Sequence, residues 1–200
     1  MRVIGITGGV GAGKSTVLNI LKEISNCMII MADTVAKDVI MPWGEGFEGV
    51  VEVLGKEVLA EDGTINRAKM ADIIFSDFEK KEKINSIIHP LTKKKICEMI
   101  EGARQQNTYD YVFVEAALLI EDHYDIICEE LWYIYADKAI RTERLINSRG
   151  YSLEKCKGIM ANQLSDEEFR EHCSFVIDNS KDTEYTKEQL IKKVVNGKFD

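Results

Sequence analysis

Nine consecutive residues, Gly8-Gly9-Val10-Gly11-Ala12-Gly13-Lys14-Ser15-Thr16, combine glycines with a lysine and two hydroxyls. Glycines let a backbone curl until successive N–H groups converge on an anion. A lysine at the end of such a curl can reach the β- and γ-phosphates of a nucleotide, and a serine hydroxyl beside it can ligate Mg²⁺. Gly8, four residues, then Gly13-Lys14-Ser15 is the P-loop spacing. Gly9, Gly11, Ala12, Gly13, Lys14, Ser15 and Thr16 are therefore candidate ligands of a nucleoside triphosphate, with Thr16 placed to reach the α-phosphate. A plain glycine-rich turn would need neither the lysine nor the hydroxyl. The motif does not encode where the phosphoryl group goes.

The elements that must hold this loop are readable around it. An apolar run at 3–7 precedes it and an amphipathic stretch at 17–24 follows, so the order is strand, loop, helix, with the helix opening at Lys14. Residues 28–31 read as a second strand, followed at once by Asp33. Ligands of open α/β sheets sit beyond the carboxyl ends of strands, which makes Asp33 a site candidate. Asp33 is equally suited to cap a helix over 34–40, and both roles can hold at once. Pro42, Gly44, Gly46 and Gly49 punctuate the next stretch, where Trp43 and Phe47 are expected to pack in a core or hinge. Residues 50–54 read as a helix ended by Gly55, and 61–66 as a turn. Arg67 opens a helix with Met70, Ile73, Ile74 and Phe75 on one face. A polar helix over 78–88 is expected to break at His89-Pro90, with another over 91–105. Residues 34–105 thus form a helical insertion without a strand.

Residues 111–115 return to strand and end in Glu115, which resembles a Walker B acid able to serve the Mg²⁺ shell; an exposed carboxylate is the alternative. A fourth strand covers 131–136. In the helix after it, Arg141 and Arg144 share a face, Arg149 lies off that face, and Gly150 is a natural stop. Arginine forks match phosphate oxygens, so this helix and a second over 151–164 suit a lid over a nucleotide; a solvated helix face is the alternative. Residues 175–177 form a fifth strand ending in Asp178-Asn179, and 184–196 a closing amphipathic helix.

Two hundred residues accommodate one α/β domain with a small insertion. A net charge of −8 without a long Lys/Arg run argues against a nucleic-acid surface. The five cysteines include no C-x-x-C pair, which points to reduced, mostly buried thiols in a cytosolic protein rather than to a metal site. No signal peptide is expected ahead of the first strand, and no apolar run approaches the ~18 residues of a membrane helix.

Nearly end to end, the sequence resembles the bacterial dephospho-CoA kinases. The opening from Ile4 to Thr16 is the family's almost letter for letter. Met31-Ala32-Asp33 stands where the family has Asp-Ala-Asp. Asp62-Gly63-Thr64-Ile65-Asn66-Arg67, Asn85-Ser86-Ile87-Ile88-His89-Pro90 and Leu118-Leu119-Ile120-Glu121 resemble its internal signatures. Arg144-Leu145 with Arg149, then Gln163 and Ser165, then Val176-Ile177-Asp178-Asn179, resemble its lid and closing motifs. Besides Met31, the chain departs from the pattern at Ala117, Arg141, Ile159 and Cys173-Ser174.

The resemblance implies an α/β P-loop kinase fold: a five-stranded parallel sheet of order 2-3-1-4-5 flanked by helices. It implies one kinase domain over 1–200, made of a core (1–33, 106–137, 174–200), a helical substrate-binding subdomain (34–105) and a lid (138–173). The implied activity is phosphorylation of the ribose 3′-hydroxyl of dephospho-CoA by ATP with Mg²⁺. Lys14, Asp33 and Arg144 would be catalytic, and Arg141, Arg149 and Asn179 would join the loop around ATP. Asp33, Arg67, His89 and Leu118 would meet the acceptor, and Ser15 and Glu115 the metal. The expected partner is this small-molecule acceptor, with neither nucleic acid nor membrane, for a cytoplasmic monomer or weak homo-oligomer. The same loop and lid suit a P-loop kinase for another nucleoside, nucleotide or small alcohol. Met31 and Ile159 also leave room for a non-catalytic ATP-binding regulator. A GTPase is disfavoured, because no Asn-Lys-x-Asp follows the fourth strand.

Overall fold

Short apolar runs rich in β-branched and aromatic residues form the strands, and their burial explains their near-continuous apolar character. The computed structural model describes residues 1–195 and residue 197, and among these it contains five strands and nine α-helices. The strands are β1 (Arg2–Thr7), β2 (Cys27–Met31), β3 (Tyr111–Glu115), β4 (Glu130–Tyr135) and β5 (Phe175–Asp178). They make one sheet of order β2-β3-β1-β4-β5, as expected from the resemblance. β1 lies parallel to β3, with Ile6 opposite Glu115, and parallel to β4, with Thr7 opposite Tyr133. β4 lies parallel to β5, with Tyr135 opposite Asp178. That register brings the carboxyl ends of β1, β3, β4 and β5 to one edge, where an open α/β sheet takes its ligands.

The chain divides into two units, one comprising Met1–Ile29 with Ala103–Asp200 and the other Ile30–Gly102. In the first, α1 (Lys14–Ile24) buries Val17, Leu18, Ile20 and Leu21 and packs against α9 (Thr183–Val194). The expected closing helix extends to Asn196, which lies outside the described residues. α6 (Lys138–Arg149) stops at Gly150, whose φ of 62° is the left-handed geometry of a helix end. α7 (Leu153–Ala161) packs against α6 and is shorter than expected. α8 (Asp166–His172) lies beyond the expected helices, and Ser165 and Glu168 form a full capping box at its start. It lays Phe169 flat on Tyr133, ring centroids 4.6 Å apart.

The second unit carries α2 (Ala32–Asp38), α3 (Phe47–Leu54) and α4 (Arg67–Ser76), and most of α5 (Phe78–Gln106). Three expectations need correction here. The break at His89-Pro90 does not occur, and α5 runs through Pro90 for 29 residues. Proline removes one helical hydrogen bond and crowds the preceding turn. Ile84 before it and Ile96 and Ile100 after it are buried, so packing holds both halves in one rod. Trp43 is not core: it stands 79% exposed in the turn before α3. The apolar face of α4 buries nothing fully, and Phe75 is 95% exposed. Among the described residues no helix is long and apolar enough to cross a membrane, and all five cysteines are free thiols.

Candidate active site

The P-loop follows β1 directly and its shape rests on how its carbonyls are held. Gly8 O accepts from Lys14 Nζ at 2.8 Å and Gly9 O from the Ala12 N–H at 3.1 Å. Val10 O accepts from Arg141 Nε at 2.9 Å, and Ala12 O from Asn179 Nδ2 at 2.7 Å and Arg144 Nη1 at 3.4 Å. In a planar trans peptide the C=O and the next N–H point in opposite directions. Fixing Val10 O and Ala12 O against α6 and the end of β5 therefore turns the Gly11 and Gly13 N–H groups the other way. Among the described residues no protein acceptor takes the N–H of Gly11, Gly13, Ser15 or Thr16. Gly11 (φ 79°) and Gly13 (φ 89°) occupy left-handed backbone that only glycine adopts without strain. The result is a cradle of inward donors at the positive end of α1, suited to phosphate oxygens.

Lys14 opens α1 and folds back over the loop, with Nζ 3.6 Å from Glu115 Oε1. Glu115 ends β3 and is only 7% exposed, so the exposed-carboxylate alternative fails. Ser15 and Thr16 are exposed in the first turn of α1, their hydroxyls open to a ligand. A serine hydroxyl and one carboxylate fit Mg²⁺, which takes one or two protein oxygens alongside phosphates and water.

Arg141 and Arg144 both reach the loop. Arg141 is 4% exposed, and Nη2 donates to Gln163 Oε1 at 2.9 Å, the oxygen that also accepts the Val10 N–H at 3.0 Å. Arg144 Nη2 donates to Asn179 O at 2.9 Å. Asn179 is 3% exposed and accepts from Thr186 Oγ1 at 2.8 Å. Cations thus collect around the loop of an otherwise acidic chain. Arg149 instead ends α6, exposed, 6.0 Å from the Tyr151 ring centroid, and among the described residues it makes no hydrogen bond to the loop.

Leu118 stands half-exposed in the turn after β3. Asp33, Arg67 and His89 belong to the second unit, on three different helices. Met31 is the N-cap of α2, so Asp33 is not the cap; it sits exposed in the first turn. Arg67 is exposed as the first residue of α4, behind Asn66, whose side chain caps that helix. His89 is half-buried within α5. Sequence reasoning named Gln163 only within a motif and assigned Thr186 nothing. Their work is to hold Val10 and Asn179, which no local spacing announces.

The family model described as dephospho-CoA kinase matches residues 2–184. A dephospho-CoA kinase from Carboxydothermus hydrogenoformans is 35% identical over 189 residues, 94% of this chain and 91% of that one. Another, from Dehalococcoides mccartyi, is 36% identical over 180 residues, 90% of this chain and 89% of that one. Among solved structures, the dephospho-CoA kinase from Campylobacter jejuni shares the fold at a TM-score of 0.74, covering 100% of both chains at 22% identity. On the match across 2–184 and on relatives above 30% identity along nearly the whole length, the chain belongs to the dephospho-CoA kinase family.

Proposed function

We propose that the chain transfers the γ-phosphoryl group of ATP to the ribose 3′-hydroxyl of dephospho-CoA, the last step of coenzyme A synthesis, using the loop between β1 and α1. The observation that carries this is the cradle of inward amides, held by Asn179, Arg141 and Arg144, in a chain of this family.

The Gly11 and Gly13 amides and the start of α1 bind the phosphates through fixed dipoles, which need no rearrangement as charge moves. Lys14 leaves Gly8 O to neutralise the β- and γ-phosphates. Ser15 and Glu115 would hold Mg²⁺, which when bound neutralises charge on the phosphate oxygens. Arg144 supplies positive charge on the flank of the loop, and Thr16 reaches the α-phosphate. Asp33, two residues beyond the end of β2, takes the acceptor role in this reading. Its carboxylate accepts a hydrogen bond from the acceptor hydroxyl and aligns it for attack. An aspartate is a weak base toward an alcohol, but a loose transition state asks for little early deprotonation, so alignment is its larger contribution. Arg67, His89 and Leu118 contact the acceptor, with 34–105 serving as its subdomain. The segment 138–173 serves as a lid that keeps water from the γ-phosphate.

The test is ADP release with Mg-ATP and a panel of dephospho-CoA, adenosine, AMP, cytidine, CMP and no acceptor, with products identified by mass. Turnover with dephospho-CoA alone, yielding CoA, is expected. Turnover only with another acceptor would replace the substrate, and ADP binding without turnover on any acceptor would replace the activity.

A further inference from the structure

The geometry points to Arg141 as a positioning residue that acts on the nucleotide through the Val10–Gly11 peptide rather than by touching a phosphate. Three observations converge. Its guanidinium is buried, and among the described residues no carboxylate pairs with it, although a buried cation normally needs such a partner. Its donors go to neutral oxygens instead: Nε to Val10 O, and Nη2 to Gln163 Oε1. Finally, the guanidinium crowds the side-chain position of Gly9. A β-carbon at Gly9 would collide with Nη2 and Cζ of Arg141.

Gly9 has no left-handed φ to explain its glycine. The space a side chain would need there is taken by Arg141. Gln163, in the turn between α7 and α8, closes the arrangement by accepting both the Val10 N–H and the Arg141 fork. Two successive peptide groups are thereby held from outside the loop. The Gly9–Val10 peptide is fixed through its N–H by Gln163 and through its carbonyl by Ala12 N; the Val10–Gly11 peptide is fixed through its carbonyl by Arg141. With a cation on Val10 O, the opposite end of that peptide, the Gly11 N–H, is both aimed into the cradle and polarised as a donor. Lysine could supply the charge at position 141 but not the two-point fork.

This inference rests on the loop being the ATP site and is tested without any acceptor. Mg-ADP and Mg-ATP are titrated calorimetrically into the unaltered protein and into Arg141→Lys, Gly9→Ala, Gln163→Ala and the Gly9→Ala/Arg141→Lys pair. Arg141→Lys should weaken ADP and ATP by the same factor, about tenfold, the scale of one charge-assisted hydrogen bond. The turnover number at saturating ATP should change less. Gly9→Ala should give a similar loss by displacing the guanidinium, and the double variant should be no weaker than the worse single one. Gln163→Ala alters a half-buried turn residue and keeps the test alive should Arg141→Lys fold poorly; it too should weaken both nucleotides equally. A loss confined to ATP and to turnover, with ADP binding intact, would make Arg141 a ligand of the transferred phosphate and overturn the inference. So would multiplicative losses in the double variant, or a lower melting temperature with unchanged affinities. Absence of ADP binding by the unaltered protein would sink the nucleotide reading itself.

Discussion

Asn179 Nδ2 donates to the Ala12 carbonyl at 2.7 Å across 167 positions of sequence, while its Oδ1 accepts from Thr186 Oγ1. A buried amide satisfied at both ends ties the end of β5 to the P-loop and to α9. Asn179→Ala leaves Ala12 O with only the 3.4 Å contact from Arg144. It should cost about 1–3 kcal/mol of stability, the scale of unmet buried polar groups, and weaken ADP and ATP together. Denaturant melts and nucleotide titration check both halves. Full stability with unaltered binding would make the contact incidental.

Lys14→Ala should abolish phosphoryl transfer while the protein keeps its fold, because Lys14 lies on the loop surface of α1 and makes no part of the apolar core. Circular dichroism with a product assay is sufficient. Turnover at the wild-type rate would remove Lys14 from the mechanism.

Asp33→Asn separates alignment of the acceptor from a helix-terminal effect. Met31 is the cap of α2, and a carboxylate in the first turn of a helix contributes about 0.3–1 kcal/mol through the helix dipole. Turnover should therefore fall far more than either ATP affinity or melting temperature. A variant that simply melts earlier, with normal turnover, would return Asp33 to a helix-terminal role.

Pro90 lies within α5, where it forgoes a hydrogen bond to the turn before it. Pro90→Ala should raise stability by up to about 3 kcal/mol, read as a shift in the denaturant midpoint. A loss of stability would mean the proline shapes the helix rather than merely being tolerated by it.

These cases show what one sequence makes legible. The P-loop could be read because its ligand chemistry dictates residue types at fixed local spacing, and the strands because they are buried runs ending at a common edge. Pro90 reads locally as a break, whereas the burial of Ile84, Ile96 and Ile100 decides the outcome by packing. The start of α8 is written in Ser165 and Glu168, which the apolar period alone does not reveal. The exposure of Trp43 has no local signature at all. Arg141 and Gln163 could be named as residues of interest, but that their targets are Val10 backbone groups depends on where α6 and the turn after α7 settle.

Alkaline pH should expose the packing of β4 against α8. Burial pushes the Tyr133 hydroxyl above its ordinary value of 10.0, and its 2.6 Å hydrogen bond to Asp166 pushes it further the same way. A tyrosine with a raised folded value stabilises fully below its unfolded value, and that contribution fades as pH climbs toward the folded one. Melting temperature should fall from about pH 10 upward in the unaltered protein. In Tyr133→Phe it should start lower at neutral pH and decline less steeply. Parallel curves for the two proteins would detach Tyr133 from the alkaline loss.

The nine letters of the P-loop stand together in the sequence, but its braces lie far along the chain from them. Arg141 comes 131 positions after the Val10 it grips, and Gln163 comes 153 positions after the same residue. Asn179 follows Ala12 by 167. A chain lacking the residues from Arg141 onward keeps every glycine of the motif and loses all three side chains that hold Val10 O and Ala12 O. Such a fragment is expected to hold ATP more weakly than the whole chain, so that nucleotide capture would mark finished molecules.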